Sequence, residues 1–171
     1  MTNSSTSGGM PNAFETIVYG GLAIGVLDFL DASIFFTKYF GITVQRVWQG
    51  VAAGVLGREA AIAGGWNTAA LGICLHFVVA FFIAAVYYVL ARNISLLILH
   101  PIVSGLIFGV IANYVMQFVV IPLSAIGWRA TPFDLGSTLN SVIGHALLVG
   151  LPVALIASWS ASRTLPESDV A

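Results

Sequence analysis

Charged residues are scarce in this chain of 171 residues. They make up 8% of the sequence, whereas soluble globular proteins contain about 25%. A soluble fold of this size has to cover a large surface with polar groups, and this chain has too few of them. Its net charge of −1 gives no electrostatic reason to bind nucleic acid. The composition therefore argues against a soluble enzyme and against a nucleic-acid-binding protein.

Cysteine and the familiar catalytic motifs are almost missing as well. Cys74 is the single cysteine, which excludes an internal disulfide framework and any metal site built from several cysteines. The sequence contains no phosphate-binding loop, no GxSxG nucleophile elbow and no CxxC pair. Enzymatic activity is therefore the less favoured interpretation, and no cofactor is predicted from these motifs.

Apolar residues are abundant, at 58% of the chain, and the mean hydropathy is +0.98. Four apolar segments have about 20 residues each, the length that crosses a hydrocarbon layer of about 30 Å. They are residues 16–36, 68–90, 102–121 and 138–157. Because every backbone polar group in lipid must be bonded internally, these segments are predicted to be helices. We therefore predict an all-α, polytopic membrane domain over residues 14–160, with four transmembrane helices arranged as two tandem helical hairpins.

The segments outside the four spans are shorter or polar. Residues 43–58 carry an apolar stripe at helical spacing, formed by Val44, Val47, Trp48, Val51, Val55 and Leu56. This stripe predicts an amphipathic helix, interfacial or re-entrant, although an ordinary connector has the same pattern. Residues 1–13 are predicted to be a disordered polar tail, and residues 161–171 a polar C-terminal tail. The positive charges are too evenly divided to orient the termini.

The chain repeats a short glycine motif. Residues 21–26 read GLAIGV and residues 105–110 read GLIFGV, and each following span carries one mid-span histidine. A two-helix unit that occurs twice predicts halves related by a pseudo-twofold axis along the membrane normal. Glycines at such positions let helix backbones approach closely. The predicted helix-packing residues are Gly21, Gly25, Gly72, Gly105 and Gly109.

Six polar residues are predicted to form an intramembrane cluster. They are Asp28, Asp31, His76, Asn113, Gln117 and His145. Counted from the tail side, the aspartate at 28, the asparagine and both histidines lie at a similar depth. Helical phase places each of them on the same face as small residues, which predicts that they point into the bundle. The other two lie one turn further along and would extend the cluster.

The cluster allows three functional interpretations. An aspartate in hydrocarbon is costly unless it is paired, and an aspartate beside a histidine suits proton exchange, so small-solute or proton transport is predicted. Alternatively, the polar contacts only hold the bundle together in a structural or assembly protein. A third alternative is a membrane redox protein, with His76, His145 and Asp28 as metal ligands or the two histidines as haem ligands. Four helices enclose little volume, so a homo-oligomer or a membrane partner is expected.

Several stretches of the chain resemble one protein family. They read GGLAIGVLDFLDA, WQGVAAGVLGREA, LGICLHFVVAFFIAAVYY, FVVIPLSA and VGLPVAL. Over roughly residues 14–157 the chain resembles a widespread family of small, uncharacterised bacterial inner-membrane proteins with four predicted helices. The resemblance implies a multi-pass protein in the lipid bilayer of the bacterial cytoplasmic membrane. It implies no activity, cofactor or catalytic residue.

Overall fold

The computed structural model describes residues 9–128 and 134–164. Within these ranges the chain is helical, with short connections. The helices are α1 (Glu15–Phe40), α2 (Val44–Leu56), α3 (Arg58–Ala63), α4 (Gly65–Asn93), α5 (Leu96–Leu99), α6 (Pro101–Leu123) and α7 (Leu135–Ser162). Four of them, α1, α4, α6 and α7, are long and apolar enough to cross a membrane. The predicted all-α fold with four spanning helices is confirmed, and each predicted span lies within one of the four.

The four long helices extend beyond the predicted spans because local capping determines where helices end. Gly41 ends α1 in a left-handed conformation with φ 68°, which glycine adopts without steric cost. The Thr43 hydroxyl accepts a hydrogen bond from the Arg46 amide at 3.3 Å and begins α2. Asp134 begins α7 in the same way, accepting from the Ser137 amide at 2.6 Å. These caps lie outside the apolar runs that hydropathy detects.

Three of the long helices contain a π-helical turn, at the start of α1 (Glu15–Tyr19) and further along α6 and α7. A π-helical turn spans Met116–Val120 in α6, and another spans His145–Gly150 in α7. Each π-helical turn contains more residues than an α-helical turn, so the residues that follow it are rotated about the helix axis. Simple counting by 3.6 residues per turn therefore fails across these two turns.

The long helices pack as two antiparallel pairs. α1 lies along α4, α6 lies along α7, and α1 also packs on α7, which joins the two pairs. This arrangement matches the two tandem hairpins expected from the sequence. α4 and α6 meet beside their connection, where the Tyr87 hydroxyl lies 3.2 Å from the Ser104 hydroxyl and the Tyr87 and Phe108 rings are 4.9 Å apart.

The main hydrophobic core fills one half of the bundle, nearer the described ends of the chain. Its buried residues are Ile24, Ala80, Ala84, Tyr87, Ala91, Ile98, Val149, Val153, Ala154, Ala157 and Ala161. On α1 the core residue precedes Asp28, and on the antiparallel helices α4 and α7 the core residues follow His76 and His145. The predicted polar residues therefore border this core on its far side.

The described parts of the terminal segments contact each other and the end of α7. The Asn12 amide donates to the Ser160 hydroxyl at 3.2 Å, and the Thr164 hydroxyl donates to the Met10 carbonyl at 2.9 Å. Ala161 is buried within α7, although residues 161–171 were expected to form a polar tail. These contacts satisfy backbone groups that a free tail would leave to water. The rest of both predicted tails, residues 1–8 and 165–171, lies outside the described residues.

The amphipathic segment forms α2, whose small-residue face packs on the bundle while part of its apolar stripe is exposed. Its buried residues are Trp48, Gln49, Ala52 and Ala53, which pack chiefly on α4. Val51 and Val55, which belong to the predicted apolar stripe, are exposed. The small alanines allow α2 to lie close to α4, so packing selects the alanine-lined face and leaves the valines outside.

Candidate functional site

Glycines bring α1 against α4 at the level of the polar residues. Gly21 and Gly25 are buried, and a Cβ at either position would collide with the Phe81 or Phe77 ring of α4. The two helices therefore approach more closely than larger side chains would permit. Asp28 lies one turn beyond Gly25 on α1, so this contact carries its carboxylate to the facing helix.

Asp28 and His76 face each other across this contact. His76 Nε2 lies 3.0 Å from the Gly25 carbonyl oxygen, and because a carbonyl can only accept, Nε2 is the donor. The other ring nitrogen, Nδ1, lies 3.8 Å from the Asp28 carboxylate. The side chains are 12% and 21% exposed for the histidine and the aspartate respectively. The 3.8 Å separation fits an ion pair when the imidazole is protonated and is longer than a hydrogen bond.

Trp48 of α2 completes the surroundings of this pair. Its ring stacks on Phe29 at a centroid distance of 4.5 Å and meets the His76 ring edge-on at 5.1 Å. Its Nε1 donates to the Ser33 hydroxyl at 3.1 Å. Gly72 permits this arrangement, since a Cβ there would collide with the Trp48 carbonyl. Of the predicted packing glycines, Gly72 thus contacts α2 and not another long helix.

The second hairpin holds its polar residues in a different way. The Ser141 hydroxyl donates to Asn113 Oδ1, and Asn113 is 3% exposed. His145 Nδ1 donates to the carbonyl of Ser141 at 3.0 Å, within its own helix. Gly105 and Gly109 are buried against the α7 backbone, and a Cβ at Gly109 would collide with the His145 carbonyl. This close approach brings Asn113 to the serine.

Asp31 joins α1 to α7. Its Oδ2 accepts a hydrogen bond from Asn140 Nδ2 at 2.9 Å. A Cβ at Gly144 would lie 3.3 Å from the same oxygen, so a small residue is needed beside it. His145, one residue further along α7, begins the π-helical turn that packs on α1. The two hairpins therefore meet beside Asp31.

Gln117 departs from the predicted cluster. Its side chain is exposed, although it was expected one turn from Asn113 on the same face. Gln117 lies in the π-helical turn Met116–Val120, none of whose residues is buried, so this part of α6 lies outside the packed interior. Of the other five predicted residues, Asn113 is buried, and Asp28, Asp31, His76 and His145 are partly exposed.

The predicted metal ligands are not arranged as a metal site. In residues 9–128 and 134–164, no three side chains of His, Cys, Asp or Glu are grouped so as to hold a metal ion. His76, His145 and Asp28 therefore do not form the expected ligand set. The first histidine uses Nε2 for the Gly25 carbonyl and the second uses Nδ1 for a carbonyl of its own helix, which occupies one ring nitrogen of each.

Three residues of the site were not among the predicted site residues. Trp48 was assigned to an apolar stripe and to the aromatic residues at the span ends, and neither Ser33 nor Asn140 was chosen. Both of the latter lie inside predicted spans, so listing every polar residue of the spans would have found them. Nothing in the pattern of residues 43–58 indicates that their tryptophan reaches a histidine on another helix.

Searches of protein families, curated proteins and solved structures find no match to this chain.

Proposed function

We propose that this chain is a multi-pass protein of the bacterial cytoplasmic membrane that moves protons, alone or coupled to a small solute, through the Asp28–His76 pair. The observation that carries the proposal is the orientation of the imidazole. With Nε2 committed to the Gly25 carbonyl, the titratable Nδ1 faces the Asp28 carboxylate at 3.8 Å. Imidazoles gain and lose protons near neutral pH, which suits a group that accepts and releases them in turn.

The residues around Asp28 define the route of the proposed proton transfer. The aspartate faces His76, and the turn of α7 that begins at His145 packs on α1, so a proton released by the first imidazole has a carboxylate next to it and a second imidazole on the neighbouring helix. When the proton is on Asp28, the aspartate and the first imidazole are both neutral, which reduces the cost of holding them in an apolar region. Proton transfer thus switches the pair between charged and neutral forms.

A polar layer across the bundle is part of the same proposal. Its support is the set of hydrogen bonds that link Asp31 to Asn140 and Asn113 to Ser141, at the level of the charged pair. Such groups can hold ordered water or a small solute beside Asp28. Because four helices enclose little volume, the proposal includes a homo-oligomer or a membrane partner that completes the path. The inner-membrane location rests on the family resemblance.

A flux measurement tests the proposal directly. The purified protein is reconstituted into liposomes that contain a pH-sensitive dye, and a potassium gradient with valinomycin drives proton entry. We expect wild-type protein to acidify the lumen and Asp28→Asn to reduce the rate to that of empty liposomes. The matched control is Glu59→Gln, which neutralises an exposed carboxylate on α3 and should retain the wild-type rate. Wild-type flux in Asp28→Asn, or no flux in wild type, would overturn the proposal.

A structural role is the second candidate, and one observation favours it. The bond from His76 to the Gly25 carbonyl and the bond from Ser141 to Asn113 each join two long helices, as interhelical polar contacts do in membrane proteins. If the role is only structural, His76→Gln lowers stability while the wild-type protein carries no flux. The liposome assay and an unfolding assay on the same variants therefore separate the two functions.

A further inference from the structure

We propose that Trp48 is a positioning residue for the Asp28–His76 pair, supplied by α2 from outside the four long helices. This proposal rests on the proposed function only for the role of the Asp28–His76 pair. The contact between Trp48 and His76 does not depend on transport. Trp48 is 1% exposed, whereas Val51 and Val55 of the same short helix are exposed. α2 therefore directs its largest side chain into the bundle, at the level of His76.

Three contacts fix the orientation of the indole. Phe29 stacks on one face with an interplanar angle of 10°, and the Ser33 hydroxyl accepts the Nε1 hydrogen at 3.1 Å. The His76 ring lies against it at an interplanar angle of 61°. A buried tryptophan contributes about 150–250 Å² of contact area, more than any other side chain of α2 can offer. The indole is thus held in one orientation, at a defined distance from the imidazole.

The Trp48 indole limits the rotation of the His76 ring. The Gly25 carbonyl holds Nε2, and a half-turn of the imidazole would remove that bond and turn Nδ1 away from Asp28. Trp48 and Phe77, whose rings lie 5.1 and 5.5 Å from the imidazole, occupy the space that a rotating ring needs. With a smaller residue at position 48, the ring gains this space and the carboxylate loses a fixed partner.

The charged and titratable groups around His76 come from two helices. α1 brings Asp28, with Asp31 one turn further along, and α7 brings His145 in the turn that packs on α1. α2 contributes the neutral indole to this contact. Because the two rings are in contact, a protonated His76 imidazole should quench the fluorescence of Trp48.

Fluorescence of a single-tryptophan protein tests the contact. Trp66, Trp128 and Trp159 are all exposed, so Trp66→Phe, Trp128→Phe and Trp159→Phe together leave Trp48 as the only emitter with little disturbance of the core. We expect its emission in lipid nanodiscs to change with pH in a single step, and the step to vanish when His76→Gln is added. A step that persists in that variant, or no step at all, would overturn the inference.

Positioning is tested by the tautomer of His76 and by its dependence on residue 48. Nitrogen NMR of ¹⁵N-histidine protein, assigned with His76→Gln, should show hydrogen on Nε2 in the neutral wild-type ring. Trp48→Leu should lose this preference, Trp48→Phe should restore it, and Trp66→Leu serves as the control for loss of an exposed tryptophan. An unchanged tautomer in folded Trp48→Leu would refute the positioning role.

The same variants separate this inference from the proposed function. In liposomes, Trp48→Leu should lower proton flux and alter its dependence on pH, while Trp48→Phe keeps the wild-type profile. If wild-type protein carries no flux but the fluorescence step and the tautomer behave as expected, the proposed function fails and the positioning stands. If proton flux depends on Asp28 but the tautomer of His76 is the same in wild type and in Trp48→Leu, the positioning role is refuted and the proposed function stands.

Discussion

Replacing Gly109 of α6 by alanine should weaken the packing of α6 on α7. A Cβ at this position would lie 2.7 Å from the Ala146 Cα and would also collide with the carbonyl oxygen of His145. Both atoms belong to the backbone of α7, so no rotation of a side chain can relieve the contact. The two helices must move apart where they now approach most closely.

The size of the effect follows from these distances. Carbon atoms pack at about 3.5–4.0 Å, so the 2.7 Å approach requires a local separation of roughly 1 Å. A gap of about 0.5–1 Å removes a quarter to a half of the attraction between facing atoms. Overpacking of this kind costs about 1–3 kcal/mol, and the better helix propensity of alanine returns up to about 1 kcal/mol. We expect a net loss of about 1–2 kcal/mol in the free energy of unfolding.

Unfolding by sodium dodecyl sulfate in mixed micelles, followed by near-UV circular dichroism, measures this loss. Gly109→Ala should unfold at a lower detergent fraction than wild type. Gly50→Ala on α2 is the matched control, because a Cβ there meets open space, and it should be neutral or stabilising. If both variants unfold with the wild-type midpoint, the two backbones are not in contact and the packing argument is refuted.

Three further substitutions test other contacts. Gly72→Ala should displace α2, because the new Cβ meets a backbone carbonyl of that helix, and hydrogen exchange should rise in α2 while the long helices stay protected; unchanged exchange would contradict this. Asn113→Val should lower the free energy of unfolding by about 1 kcal/mol. In a double-mutant cycle, adding Ser141→Ala should lower it little further, whereas full additivity of the two losses would exclude the hydrogen bond from Ser141 to Asn113. Tyr87→Phe should cost about 0.5–1.5 kcal/mol in the same unfolding assay by removing the hydroxyl contact with Ser104, and a wild-type midpoint would exclude that contribution.

The long helices could be predicted from sequence because one physical rule governs them. An apolar run of about 20 residues in lipid must satisfy its backbone internally, so hydropathy alone predicts helices. The ends were less predictable, since Gly41, Thr43 and Asp134 end or begin helices through backbone conformation and side-chain caps outside the apolar runs. Sequence length and hydropathy carry no information about those caps.

Helical periodicity predicts which residues share a face, but not what that face meets. Gly25 and Asp28 share a face of α1, and equal depth suggested His76 as a neighbour. The partner of Gly72 could not be predicted in this way, because α2 is placed by tertiary packing and brings Trp48 from a segment that only looked amphipathic. The prediction for Gln117 was wrong for a different reason, since no residue of the turn Met116–Val120 is buried and periodicity does not show where along a helix the packing ends.

The two hairpins share a glycine pair and a histidine, yet their chemistry differs. In the first, Asp28 faces an imidazole nitrogen; in the second, the polar residue at a similar depth is Asn113, whose amide cannot titrate and is bonded to Ser141. His145 likewise uses Nδ1 for a carbonyl of its own helix. We infer that the first hairpin carries the exchangeable proton, while the second contributes fixed dipoles and one imidazole on α7. Exchanging the residues, as Asp28→Asn with Asn113→Asp, should therefore not restore proton flux, because the new carboxylate meets a serine hydroxyl instead of an imidazole.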